Sequence, residues 1–165
     1  MQEEPGGIAQ ALGLAENFAD NEKIVAILGD NVIEDNLRNA VLKFQKQKKG
    51  AKVFLKEVKD PERFGIAEIK NDKVARIIEK PKKPKSNLAV VGIYMYDKQV
   101  WNIIKELKPS ARGELEITDV NSFYVKQGMM THEILKGEWI DAGTFDSLLR
   151  ANIFVANKMN KNSER

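Results

Sequence analysis

The sequence predicts an α/β domain: a mixed, mostly parallel sheet flanked by helices, with an antiparallel hairpin inserted. Three observations lead there. Helical and strand patterns alternate over the first 58 residues. Two short strand patterns then flank Asn71-Asp72. Helical periodicity returns at Lys98 and again closes the chain. The order α-β-α-β is that of strands joined by covering helices. A length of 165 residues suffices for one domain with its own core. We place that domain at 1–159 and read 160–165 as a polar tail.

Taken in order, Ile8, Ala11, Leu12, Ala15 and Phe18 recur at helical spacing over residues 8–18. Ile24 to Leu28 is unbroken apolar sequence ending in Gly29-Asp30, the pattern of a strand buried on both faces of a parallel sheet. Residues 35–48 return to helix, with Leu37, Val41 and Phe44 on one face. Ala51 to Val58 reads as a second strand. Gly65 to Ile69 and Val74 to Ile78 read as a hairpin turning at Asn71-Asp72. Leu88 to Tyr96 is a long strand. Lys98 to Leu107 is helical and stops near Pro109, and Thr118 to Gln127 is a helix with Gly128 as its C-cap. Met130 to Leu135 is a short strand. Thr144 can cap a last helix whose apolar face is Phe145, Leu148, Leu149, Ile153 and Ala156.

Composition narrows the function classes. The chain has no cysteine, which excludes disulfides and thiolate metal sites. A cytoplasmic location is the default expectation. No stretch is long and apolar enough to span a bilayer, and no signal peptide is evident. The formal charge of +3 is mild, and the lysines are spread along the chain, densest at Lys46 to Lys49 and Lys80 to Lys85. Nucleic-acid binding calls for a stronger bias with interleaved aromatics. A solvated surface accounts for these lysines, and neither nucleic acid nor membrane is an expected partner.

Ligands of open α/β sheets bind beyond the carboxyl ends of the strands. Asp30 falls there, after a glycine that admits a ligand close to the backbone. Its carboxylate can hold a magnesium ion carrying phosphates, or cap the next turn. Asp141, in Trp139-Ile-Asp-Ala-Gly-Thr144, is the second candidate. Two separated carboxylates can share one Mg²⁺ and leave positions for substrate oxygens. Helix N-terminal electrostatics would equally favour an acid at Asp141. Trp139 reads as a packing residue. Glu79 can accept two hydroxyl hydrogen bonds and Lys80 can neutralise a phosphate, or the two form a solvated pair. Arg112, beside Gly113, can bind phosphate or form local ion pairs. The loop Gln2-Glu-Glu-Pro-Gly-Gly7 exposes amide groups without matching a Walker A loop or a dinucleotide fingerprint. Gln2 offers a donor and an acceptor to a pyrimidine edge. His132 is the single histidine and cannot build a multi-histidine metal site. It is read as structural.

Seven motifs lie in register across nearly the whole chain. They are Gln2…Pro5-Gly-Gly-Ile-Ala-Gln-Ala11, Leu28-Gly-Asp-Asn31, Asp60-Pro-Glu-Arg-Phe-Gly65, Glu79-Lys-Pro81, Val91-Gly-Ile-Tyr94, Lys108-Pro-Ser-Ala-Arg-Gly-Glu-Leu-Glu-Ile-Thr-Asp119 and Gly137-Glu-Trp-Ile-Asp-Ala-Gly-Thr144. The set strongly resembles the glucose-1-phosphate thymidylyltransferase family of sugar nucleotidyltransferases. The resemblance implies a Rossmann-like nucleotidyltransferase fold. It also implies attack of a glucose 1-phosphate oxygen on the α-phosphate of dTTP, giving dTDP-glucose and pyrophosphate. It implies roles residue by residue. Gln2 and Gly7 would contact the base, with Leu28 and Asp30 also on the nucleotide. Asp30 and Asp141 would hold Mg²⁺. Gly65, Glu79 and Val91 would bind the glucose, and Lys80 and Arg112 its phosphate. Asp30, Lys80 and Arg112 would be the catalytic set, acting by in-line positioning and charge neutralisation.

One departure stands out. The family opens with a strand and a Gly-Gly-Xaa-Gly-Thr-Arg-type loop around the triphosphate, and nothing in these residues matches it. The implied fold is therefore incomplete, and weak or no transferase activity is expected of the isolated chain. An open sheet edge is also expected, with self-association or a further N-terminal segment to cover it. A non-catalytic sugar-phosphate or nucleotide-binding module, and a subunit completed by a separate N-terminal chain, are the alternative expectations.

Overall fold

The computed structural model describes residue 2 and residues 4–163, with side chains described up to residue 160. Its helices are α1 (Ile8–Gly13), α2 (Glu16–Ala19), α3 (Arg38–Lys46), α4 (Val100–Glu106), α5 (Ile117–Lys126) and α6 (Phe145–Ser163). Its strands are β1 (Ile24–Ile27), β2 (Asn31–Ile33), β3 (Ala51–Glu57), β4 (Gly65–Lys70), β5 (Lys73–Glu79), β6 (Leu88–Tyr96), β7 (Met130–Ile134) and β8 (Trp139–Asp141).

The α/β architecture is as expected, with a finer correction to strand direction. The main sheet runs β5-β4-β6-β3-β7, with β1 beside the far end of β6. β1, β3 and β7 run the same way, but β6 lies antiparallel between β1 and β3. Only β3 and β7 pair as parallel neighbours, so the pairing is mostly antiparallel rather than mostly parallel. Nine residues of strongly apolar, strand-forming sequence make β6 the central strand. Its alternation feeds both faces. Tyr94 and Tyr96 enter the core beneath α1, α4 and α5. Val91, Ile93 and Met95 enter a second core beneath α3, with Phe44 and Phe54. The Tyr96 hydroxyl donates to Asn121 Oδ1 at 2.7 Å, and that of Tyr124 to buried Asp97 at 2.8 Å, so both buried phenols are satisfied.

The expected hairpin is β4–β5. Asn71 and Asp72 both take left-handed backbone, φ 50° and 57°. That is the conformation a two-residue turn needs to match strand twist. The hairpin tip reaches β7, where His132 lies 3.9 Å from Asp72. Gly128, φ 64°, ends α5 as expected.

Three expectations change. The single helix over 8–18 is two short helices. β1 is not buried on both faces: Ile24 and Ala26 pack inward, while Val25 and Ile27 are 43% and 55% exposed. Among the described residues no strand lies along its outer edge and no helix crosses its α3-side face. A five-residue apolar run reads alike for a central strand and for an edge strand awaiting cover. The third change concerns α6. Thr144 caps it, its Oγ1 accepting the Ser147 N–H at 3.2 Å. Yet Phe145, Leu148, Leu149 and Ile153 are exposed, Phe145 at 93%. The helix continues through the expected polar tail as far as Ser163, and residues 164 and 165 lie outside the described residues.

Candidate active site

Two short strands that sequence periodicity did not show build the centre of the site. β2 and β8 form a separate antiparallel ribbon with Asn31 opposite Asp141. The Ala142 N–H donates to the Asp30 carbonyl at 2.8 Å, which extends the ribbon to Asp30 itself. The two candidate carboxylates thus meet although 111 positions separate them in the chain. A methyl carbon placed on Gly143 would stand 3.0 Å from Asp141 Oδ1 and 3.6 Å from Asp30 Oδ2, so both carboxylates face one small volume. This volume is free because residue 143 has no side chain. Hard oxygen donors around an open space suit a magnesium ion that keeps water or substrate oxygens as its other ligands.

Asn31 fixes this arrangement. Its Nδ2 donates to Asp30 Oδ1 at 2.8 Å, while its Oδ1 accepts the Gly92 N–H at 3.0 Å and Trp139 Nε1 at 2.7 Å. A Cβ on Gly92 would fall 2.7 Å from both Asn31 Nδ2 and Leu28 Cδ1, so a side chain there would displace Asn31. Trp139 is therefore more than a packing residue. Its indole holds Asn31, and its ring meets Phe64 edge to face at 5.3 Å. The Arg63 guanidinium in turn lies over Phe64 and pairs with Asp60 at 2.7 Å.

Beside the ribbon lies a cavity of about 270 Å³, lined by Leu28, Gly65, Glu79, Lys80, Arg112 and Asp141 among others. Gly65 faces Glu79 across the β4–β5 ladder. Thr118 Oγ1 donates to Glu79 Oε2 at 2.6 Å, which sets the carboxylate's rotamer, and no hydrogen bond from a described residue occupies Oε1. A Cβ on Gly65 would sit 3.2 Å from that same Oε2. Lys80 follows with left-handed backbone, φ 40°, held by its N–H to the Phe64 carbonyl at 3.0 Å. Tyr94 lines the cavity too. Burial, then the charges of Glu79 and Asp30, push its hydroxyl far above the ordinary range, so it stays protonated.

Arg112 is already partnered. Its guanidinium reaches Glu116 at 2.8 Å and Glu114 at 3.3 Å, and the Glu116 bond raises its affinity for the proton further. Burial of Glu116 disfavours its charge, but hydrogen bonds from Arg112 and Ser110 outweigh that, and its carboxyl titrates below the usual range. A group whose folded value is depressed contributes stability above its unfolded value and loses it as pH falls through the folded one. Glu116→Gln is therefore expected to lower the melting temperature near neutral pH and to flatten its decline below about pH 4.5, the ordinary carboxylate value. Thermal melts across pH 3 to 7 check this.

The remaining expected residues are placed differently. Val91 is fully buried, its side chain in the core beneath α3, so only its backbone is available at this level of β6. Val90 and Gly92, on either side of it, line the cavity. Gln2 and Gly7 lie outside the lining, which Ile8 reaches. Gln2 Nε2 donates to Gln10 Oε1 at 2.7 Å and to the Gly7 carbonyl at 3.2 Å. Gly7 has φ 93°, and a Cβ there would lie 2.5 Å from the Leu115 carbonyl oxygen. The Leu115 N–H meets the Gly6 carbonyl at 2.8 Å, which ties this loop to the segment carrying Arg112. Sequence reasoning did not single out Asn31, Thr118 or Arg63. Each sits inside a motif already quoted, but only the fold shows what its side chain touches.

A family model described as nucleotidyl transferase matches residues 1–158. The chain belongs to the nucleotidyl transferase family. Among the relatives of this chain are the glucose-1-phosphate thymidylyltransferases of Neisseria meningitidis, 43% identical over 97% of this chain, and of Mycolicibacterium smegmatis, 42% identical over 93%. Those alignments cover 57% and 54% of the relatives, so the chain spans about half the length of the curated proteins it matches. A crystal structure described as a glucose-1-phosphate thymidylyltransferase of Bacillus anthracis with sucrose is 58% identical, with a TM-score of 0.87, covering 93% of this chain and 62% of that one. A UDP-glucose pyrophosphorylase with UDP-glucose shares the fold at TM-score 0.83 and 24% identity, covering 95% of this chain and 64% of that one.

Proposed function

We propose that these residues form the sugar-phosphate and metal side of a glucose-1-phosphate thymidylyltransferase. In that reaction a phosphate oxygen of glucose 1-phosphate bonds to the α-phosphorus of dTTP. The bond from that phosphorus to the bridging oxygen breaks, and pyrophosphate leaves with the electron pair. The convergence of Asp30 and Asp141 on the space left by Gly143, beside a cavity holding Glu79 and Lys80, is the observation that supports it. In this reading Asp30 and Asp141 would hold Mg²⁺, which would supply charge neutralisation at the phosphates.

The chain's own residues do the rest. Glu79 Oε1 accepts two glucose hydroxyls while Thr118 holds Oε2. The absent side chain of Gly65 leaves room for the ring. Val91 contributes its backbone. Lys80 and Arg112 bind the sugar phosphate, and Arg112 exchanges a contact with Glu114 or Glu116 for one with phosphate. Gln2 and Gly7 meet the thymine, with Leu28 beneath the nucleoside. Catalysis rests on alignment and charge neutralisation, with no covalent intermediate on the protein.

The open β1 edge and the exposed Val25 and Ile27 favour uptake of a further strand and helix, from a second copy or from a segment of the kind the longer relatives contain. A cytoplasmic setting fits substrates of this kind, and no helix among the described residues is long and apolar enough to cross a membrane. Isothermal titration of the chain with dTDP-glucose, with and without Mg²⁺, tests the reading. Heat that depends on Mg²⁺ supports it, and no heat with any sugar nucleotide overturns it.

A further inference from the structure

The ribbon that presents both carboxylates has little of its own to hold it. β2 and β8 are three residues each and make a two-stranded sheet apart from the main one. Isolated two-stranded pairs are marginal in water, and a slip of one residue turns every side chain to the opposite face. A slip here would carry Asp141 away from Asp30. The ladder hydrogen bonds alone repeat with every slip of two, so side chains set the register: Trp139 Nε1 on Asn31 Oδ1 is one such contact, and the turn that leads into β8 supplies another.

We propose that Asp35 is a positioning residue that locks this register and so sets metal affinity, an inference that rests on the Asp30–Asp141 reading. Asp35 lies just past β2. Its Oδ2 accepts the Gly137 N–H at 2.7 Å and its Oδ1 the Lys136 N–H at 3.2 Å. One carboxylate thereby captures the two amides that lead into β8. These are charge-assisted bonds that a slipped strand cannot make. The turn is closed from other sides as well. Glu34 Oε2 accepts the Glu138 N–H at 2.9 Å, and Lys56 Nζ donates to the Gly137 carbonyl at 2.7 Å. Lys158 of α6 reaches Glu34 Oε1 at 2.8 Å. Gly137 is required for the clasp, since a Cβ there would sit 2.8 Å from Asp35 Oδ2. Asp35 touches neither the cavity nor the carboxylate pair, so its effect passes through the position of Asp141.

The test uses Mn²⁺ as probe, with free Mn²⁺ read by electron paramagnetic resonance. It is run on the wild-type chain, Asp35→Ala, Asp35→Asn and the distant ion-pair variant Lys105→Ala. Asp35→Ala is expected to weaken Mn²⁺ binding on the order of tenfold, the usual effect of losing a residue that orients a metal ligand. Asp35→Asn keeps one acceptor and is expected to fall between it and wild type. Lys105→Ala is expected to match wild type. Glucose 1-phosphate affinity, measured by calorimetry on the same samples, should stay unchanged in Asp35→Ala, whereas general loosening of the fold would lower both. Amide exchange at Ala142 should speed up in either Asp35 variant, which keeps the test open on Asp35→Asn if Asp35→Ala does not fold. Unaltered Mn²⁺ affinity and unaltered Ala142 exchange in a folded Asp35 variant overturn the proposal alone. A wild-type chain that binds no Mn²⁺ overturns it together with the two-carboxylate reading.

Discussion

Asp141→Asn is expected to abolish Mg²⁺-dependent binding of sugar nucleotide while leaving the fold intact. The residue is partly exposed, and among the described residues its carboxylate accepts one hydrogen bond, from the Gly143 N–H at 2.9 Å, a role an amide oxygen can also fill. The register with Asn31 runs through the backbone and survives the change. What is lost is one of two negative charges facing the space at Gly143. A cation held by two carboxylates and water has little affinity for one. Gly143→Ala reaches the same end by another route. It keeps both charges but fills the gap with a methyl 3.0 Å from Asp141 Oδ1. Melting curves with and without Mg²⁺ in the presence of dTDP-glucose separate the cases. Wild type should show a metal-dependent rise that both variants lack. A variant that keeps the full rise contradicts the assignment.

The second large effect is at Glu79. Glu79→Ala removes the acceptor proposed for the glucose hydroxyls and leaves the Thr118 hydroxyl, 7% exposed at residue level, without its 2.6 Å partner. Hydrogen bonds to a charged group contribute about 1.5–3 kcal/mol each, so loss of two lowers affinity for dTDP-glucose roughly 10²-fold or more. Affinity for dTTP should hardly change, because the proposed reading gives Glu79 to the sugar. Glu79→Gln keeps the oxygen that Thr118 donates to and should recover part of the loss. Equal weakening of both ligands would place Glu79 in the scaffold instead.

Much of this was legible in sequence because the signals were long or conformationally specific. β6 offers nine residues with strand propensity throughout. Asn71-Asp72 supplies two residues that tolerate left-handed backbone, so the hairpin turn is placed to the residue. The site was legible in a different way, through motifs whose residues converge only once folded. Asp30, Glu79, Lys80 and Asp141 do come together. What eluded sequence has physical causes. β2 and β8 are too short for any period to register. The antiparallel entry of β6 between β1 and β3 is a long-range pairing that no local pattern encodes. The exposed faces of β1 and α6 read as core because apolar spacing reports what a segment can bury, not what is at hand to cover it. Asn31 was unassigned because its use depends on Gly92 and Trp139, 61 and 108 positions away.

Calorimetric titration of the chain with dTDP-glucose, run with Mg²⁺ and again with a chelator, tests the central claim most directly. Saturable heat in Mg²⁺ that collapses with the chelator and in Asp141→Asn is the predicted result. Absence of heat with any sugar nucleotide, or binding indifferent to both metal and Asp141, would contradict it.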